Sequence, residues 1–100
     1  MSYTYRLHPL AAEDLSKGYD WYEDKQVGLG ERFLKAVRNK INEIAIHPEI
    51  YSSRERKEFR EVKVEFFPFL IVYKVFKRKQ QVYISTIHNT SKHPRKKYRK

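Results

Sequence analysis

Apolar positions recur along this chain with two different periods, which divide it into a helical first half and an extended second half. Tyr3 to Leu7 alternates aromatic or apolar residues with polar ones before His8-Pro9, the pattern of a short strand. Pro9 opens a helix, because the first helical position needs no amide hydrogen. Ala11 and Ala12 lead in, and Leu15, Tyr19 and Tyr22 follow at helical spacing on one face. Glu13 and Asp14 are expected near the first turn, where the helix dipole favours negative charge. Gly18 costs that helix roughly 1 kcal/mol against Ala, which close packing against a neighbouring element would explain. Lys25 to Gly28 reads as a turn. A second helix is expected from Leu29 to Ile46, with Leu29, Phe33, Val37, Ile41 and Ile44 on its apolar face and Glu31, Lys35, Arg38, Asn39 and Glu43 opposite. His47-Pro48 stops it, since the proline ring pushes the residue before it out of the helical region. Two helices joined by so short a turn pack as an antiparallel hairpin.

Beyond Pro48 the period shortens to two. Val62, Val64 and Phe66 alternate with Lys63 and Glu65, a strand with one wet face, and Phe67-Pro68 marks a turn. Phe69 to Phe76 is almost wholly apolar, as in a central strand covered on both faces. Lys77-Arg78-Lys79-Gln80 is a polar hairpin loop, and Gln81 to Ile87 is the closing strand. The order predicts an α+β domain, β-α-α-β-β-β, with the helix hairpin on one face of a small, mainly antiparallel sheet. Phe69, Ile71, Tyr73 and Val75 form one face of the central strand. Leu70, Val72, Lys74 and Phe76 form the other, which a single helix hairpin leaves partly uncovered. An apolar patch rimmed by charge marks a protein contact site.

One hundred residues fit one domain, here spanning 1–100, with no internal repeat or linker. The chain has no Cys, which excludes disulfides and thiolate chemistry. Met1 to Arg6 lacks the apolar core of a signal peptide, and no apolar run approaches the roughly 18 residues of a membrane span, so the expected location is cytoplasmic.

Charge changes the picture at the C-terminus. The net charge is +10, and residues 88–100 hold six Lys or Arg and no Asp or Glu. Lys92, Arg95, Lys96, Lys97, Arg99 and Lys100 form a field that reaches about 8 Å at physiological salt and attracts polyanions. A solubilising tail is the plain alternative. Arg54, Arg56, Lys57, Arg60 and Lys63 are interleaved with Glu55, Glu58 and Glu61, as on a solvated strand edge first and a phosphate track second.

Candidate chemistry is sparse. His88 stands at a strand end, where an imidazole suits proton transfer but more often caps the strand or hydrogen-bonds the backbone. His8 and His47 precede prolines at element boundaries and read as structural. The four His have no metal-ligand spacing. No Walker loop or serine-hydrolase elbow occurs, and Gly28-Leu29-Gly30 lacks the third glycine and the preceding strand of a dinucleotide fingerprint. Tyr19, Trp21 and Tyr22 have faces that stack on bases, but helical spacing assigns the tyrosines to the core.

Six local patterns resemble the RelE/ParE toxin superfamily of bacterial toxin–antitoxin modules. They are Pro9 to Leu15 opening the first helix, Tyr19-Asp20-Trp21-Tyr22-Glu23 continuing it, and Gly28-Leu29-Gly30-Glu31-Arg32-Phe33 between the helices. Ile44 to Pro48 ends the second helix, Phe67 to Tyr73 enters the central strand, and Ile87 to Pro94 follows the last one. The resemblance covers nearly the whole chain. It implies a toxin without a cofactor, with an acidic antitoxin as cognate partner, in modules associated with plasmid stabilisation. A RelE-like branch cuts messenger RNA on the ribosome, and in this chain such chemistry would fall to His88, Lys92, Arg95 and Tyr98. A ParE-like branch inhibits DNA gyrase by binding. Gly28-Leu29-Gly30 and the Pro68 to Tyr73 strand are more similar to ParE, and Leu70 stands where the RelE pattern has a basic residue. The resemblance therefore implies a gyrase-binding toxin, with a ribosome-dependent ribonuclease and a module without toxicity as alternatives. Target binding is expected of the C-terminal cations, and antitoxin binding of Arg60, Lys63, Leu70, Val72, Lys74 and Phe76.

Overall fold

A computed structural model describes residues 2–52 and 58–91. The elements follow the expected order: β1 (Thr4–Leu7), α1 (Pro9–Lys25), α2 (Leu29–Ile46), β2 (Arg60–Lys63), β3 (Phe69–Phe76) and β4 (Gln81–Asn89). The strands form one sheet in the order β1-β4-β3-β2. β1 runs parallel to β4, and the other two pairs are antiparallel.

The first helix begins at Pro9, and the Nδ1 of His8 accepts a hydrogen bond from the Leu10 amide at 3.0 Å. Glu13 and Asp14 lie beyond the first turn, so the expected dipole role is not theirs. Asp14 instead reaches the sheet, as described below. Gly28 precedes α2 with φ at 91°, a backbone conformation costly for any residue with a Cβ. The free amides of the α2 N-terminus are met by Glu23, whose two carboxylate oxygens accept from Gly28 and Gly30, each at 2.9 Å. The helices then press together at two glycines. A Cβ on Gly18 would stand 2.6 Å from the Phe33 ring, and one on Gly30 would stand 2.8 Å from Tyr19.

Both helices cover the same face of the sheet. Phe33, Val37, Ile41 and Ile44 from α2 bury against Ile71, Tyr73, Val82, Ile84 and Ile87. Phe33 sits in an aromatic cluster, 4.8 Å from the Phe69 ring, 5.2 Å from Tyr22 and 5.4 Å from Phe67. Tyr22 thus packs as its spacing implied. Trp21, which the spacing did not assign to the core, is 59% exposed, with the Lys25 ammonium 4.2 Å from its ring centre. Lys40 is a charged residue drawn into the fold, its ammonium 3.2 Å from Glu43 and 3.7 Å from Glu65. Burial opposes its charge, but the hydrogen bond to Glu43 and the neighbouring charges more than offset this, holding its pKa above the ordinary lysine value.

The expected strand through Phe66 ends early. β2 stops at Lys63, and Phe66 lies in the turn with φ at 70° and 93% exposure. The chain must reverse before Phe69, and the Val64 amide closes that reversal on the Phe69 carbonyl at 2.9 Å.

Tyr73 ties the central strand to the end of α2, its buried hydroxyl donating to the Pro48 carbonyl at 2.9 Å. Burial pushes its pKa far above the ordinary tyrosine value, and Arg60 counters this only in part. The folded state therefore keeps the phenol proton to a higher pH than the unfolded chain. The associated stability is complete below about pH 10, the unfolded value, and is lost as pH rises beyond it. Tyr73→Phe should cost about 1–3 kcal/mol by leaving the Pro48 carbonyl unpaired. It should also make the alkaline loss of stability shallower in urea unfolding between pH 8 and 11. An identical alkaline slope would assign that titration to another group.

Candidate functional site

The face of the sheet turned away from the helices carries most of the candidate residues. Strand register arranges its described part in rows. His88 stands beside Leu70, which stands beside Lys63. The next row is Thr86, Val72 and Glu61. The row after that joins Arg6, Tyr83 and Lys74, and a further row joins Thr4, Gln81 and Phe76.

His88 reaches this face through a defect in the ladder. Val82 and Ile84 point to the helices, and strict alternation would send residue 88 the same way. The register shifts between Val72 and Tyr73, where Tyr73 pairs with Ile84 but Val72 pairs with Thr86. Ser85 is the extra residue of a β-bulge, and every side chain after it changes face. Ile87 therefore joins the core, and His88 turns outward. The Asp14 carboxylate holds the bulge from α1, accepting from the Ile87 amide at 3.1 Å. Ser85 and Thr86 are both buried, their hydroxyl oxygens 3.3 Å apart.

The other expected contact residues divide. Lys63 is exposed, Leu70 and Lys74 are half-buried, and Phe76 is 40% exposed. Val72 is 0% exposed, so the expectation of an uncovered Val72 is wrong. Phe59 is likewise fully buried, and the Lys74 ammonium lies 5.2 Å from its ring centre. Arg60 does not share this face. It pairs with Tyr73 and turns toward the helix side, where its guanidinium donates to the carbonyls of Tyr51 at 2.6 Å and Glu49 at 3.2 Å. It also lies 3.6 Å from the Glu49 carboxylate, so its work is to fasten the turn after α2. Lys92, Arg95, Lys96, Lys97, Tyr98, Arg99 and Lys100 lie outside the described residues, as do Arg54, Glu55, Arg56 and Lys57.

Sequence reasoning missed Arg6 and Tyr83, which stack here with the guanidinium carbon 5.7 Å from the ring centre. It also missed the roles of Asp14 and Glu23. The bulge had left a trace, because the core-facing residues of β4 step from Val82 to Ile84 and then to Ile87.

The row through His88 has an imidazole at one end, an ammonium at the other and a leucine between. Two strand spacings, about 10 Å, separate the outer backbones. Among the described residues no group of three or more His, Asp or Glu side chains is arranged to hold a metal ion. No helix among them is long and apolar enough to cross a membrane.

No curated relative matches the sequence. Solved structures do match in fold. A chain of the chromosomal ParDE toxin–antitoxin system of Pseudomonas aeruginosa superposes with a TM-score of 0.63 at 22% identity, covering 88% of this chain and 96% of that one. The isolated Escherichia coli RelE toxin superposes with a TM-score of 0.70 at 16% identity, covering 92% and 88%. A chain of the Mycobacterium tuberculosis RelBE2 complex gives 0.67 at 19% identity, covering 92% and 95%. The model of the ParE toxin family, of the parDE type II toxin–antitoxin system, matches residues 5–94, and the chain therefore belongs to that family.

Proposed function

We propose that this chain is the toxin of a type II toxin–antitoxin module, that it inhibits DNA gyrase by binding, and that a cognate acidic antitoxin neutralises it. Leu70 carries the reading. It occupies the middle of the row between His88 and Lys63, where the ribonuclease pattern places a cation. Transfer of the ribose hydroxyl to the adjacent phosphate needs a base, an acid and a stabiliser of the developing charge within hydrogen-bond reach of one another. A leucine at the centre of the row supports recognition by contact instead. Family membership supports the partner, as do the structural neighbours, which include RelE with a peptide of its antitoxin and the RelBE2 toxin–antitoxin complex. In this reading Lys63, Leu70, Lys74 and Phe76 meet the antitoxin, whose acidic chain is steered by the lysines. Lys92, Arg95, Lys96, Lys97, Arg99 and Lys100 meet the target, and the module stabilises the replicon that carries it.

A ribosome-dependent ribonuclease is the second reading, favoured by the bulge that aims His88 outward, with Lys92, Arg95 and Tyr98 as its companions. His88→Ala separates the two. A binding toxin should keep its inhibition of supercoiling within about twofold. A ribonuclease using His88 as acid or base should lose on the order of 10²- to 10⁴-fold in cleavage. Messenger cleavage by the wild-type chain that His88→Ala reduces on that scale, with supercoiling unimpaired by either protein, would sink the binding account. A wild-type chain inactive in both assays would be a toxin-derived module without toxicity.

A further inference from the structure

We propose that the row of cations and rings crossing the outer face, at the hairpin end of the sheet, binds single-stranded nucleic acid, with bases on the rings and phosphates on the cations. Four side chains from three strands compose it. The Arg6 guanidinium lies over Tyr83, and the Lys74 ammonium lies 6.0 Å from the Phe76 ring centre. The register places Arg6 beside Tyr83 and Tyr83 beside Lys74, with Phe76 one row further on. Arg6 and Phe76 are exposed, and Tyr83 and Lys74 are half-buried.

The β3–β4 hairpin then adds three consecutive cations, Lys77, Arg78 and Lys79, all exposed. Lys77 is shared with Glu49 at 3.1 Å, while Arg78 and Lys79 extend the field beyond Phe76. Charge is divided along the chain in the same sense. Residues 1–52 hold seven Lys or Arg against eight Asp or Glu, and residues 53–100 hold fifteen against four. Among the described strand residues, Glu61 is the carboxylate on this face, one row away beside Val72. The acidic residues of α1 that are exposed, Glu13, Asp20 and Asp24, belong to the layer on the other side of the sheet.

Alternating rings and cations match a strand whose backbone carries a charge at each step and whose bases offer flat faces. Stacking on such platforms is tolerant of sequence, and the charged track makes binding salt-dependent. A duplex fits less well, because its bases are already stacked on one another. The inference stands apart from the choice of target above, since it concerns neither gyrase nor cleavage.

Fluorescence anisotropy of a labelled dT15 oligonucleotide with the full-length chain tests it. Saturable binding is expected with a Kd of about 10 µM near 50 mM salt, weaker for a duplex of the same length. The double variant Arg6→Ala with Lys74→Gln should bind at least tenfold more weakly and reduce the slope of log K against log salt by about 1.4, two single-strand phosphate contacts. Phe76→Ala with Tyr83→Leu should lose at least about 30-fold at every salt concentration with the slope unchanged. Phe76→Ala alone changes an exposed ring and should lose affinity without loss of melting temperature. A parallel rU15 arm identifies the preferred sugar. The proposal is overturned if wild-type binding is absent, or if duplex binds as tightly as single strand. It is also overturned if poly-glutamate at matched charge displaces dT15 equally well. The same holds if these variants bind like wild type while neutralising the cations of residues 92–100 abolishes binding.

Discussion

Val72→Asp should leave the domain unfolded at 37 °C, whereas Leu70→Asp, two residues earlier on the same face, should leave it folded. Val72 is 0% exposed and stands between Thr86, itself 2% exposed, and Glu61. A carboxylate placed there has no water and a like charge on the neighbouring strand. Burying such a group costs several kcal/mol, against a total stability of about 5–15 kcal/mol for a domain of this kind. Leu70 is half-buried, so an aspartate there reaches solvent. Leu70→Asp should weaken antitoxin binding at least tenfold while melting within a few degrees of wild type. Thermal melts of the two variants decide the matter, and a Val72→Asp protein as stable as wild type would show that this part of the face is open.

The second large effect lies between the helices. Gly18→Ala ordinarily stabilises a helix by roughly 1 kcal/mol, yet here it should destabilise. The added Cβ meets Phe33 at 2.6 Å, and Phe33 is 0% exposed within its aromatic cluster. Overpacking of this kind costs about 1–3 kcal/mol, which lowers the melting temperature by about 10 °C in a chain of this size. In a Phe33→Leu background the smaller side chain leaves room, so the same Gly18→Ala change should become neutral or stabilising. Additive effects of the two substitutions would refute the contact as the cause.

Much of this architecture is legible in the residue pattern, and what escapes it has identifiable physical reasons. The helices were readable because Phe33, Val37, Ile41 and Ile44 keep one period to the boundary at His47-Pro48. The Gly18 contact was legible in kind, although nothing local names Phe33 as its partner. Phe66 was misread because the alternation Val62, Val64, Phe66 runs on past the point where the chain must reverse. The placement of Arg60 follows from parity: Val62 faces the core, so Arg60 shares its side and Lys63 does not. The burial of Val72 was hidden, since alternation along β3 tells which face a residue takes but not what covers that face. Asp14 and Glu23 act at a distance of 73 and at most seven residues along the chain, and only the folded backbone brings their acceptors to those amides. The site itself was half visible. Lys63, Leu70, Lys74 and Phe76 follow from alternation, while Arg6 and Tyr83 join them only through the parallel pairing of the first and last strands.

Titrating the purified toxin into a gyrase supercoiling reaction, with and without its antitoxin, tests the central claim most directly. A ribosome-loaded messenger is exposed to the same toxin preparation in parallel. The account predicts saturable inhibition of supercoiling, relief of that inhibition by a stoichiometric amount of antitoxin, and an intact messenger. Cleavage of the messenger with supercoiling unimpaired would contradict it.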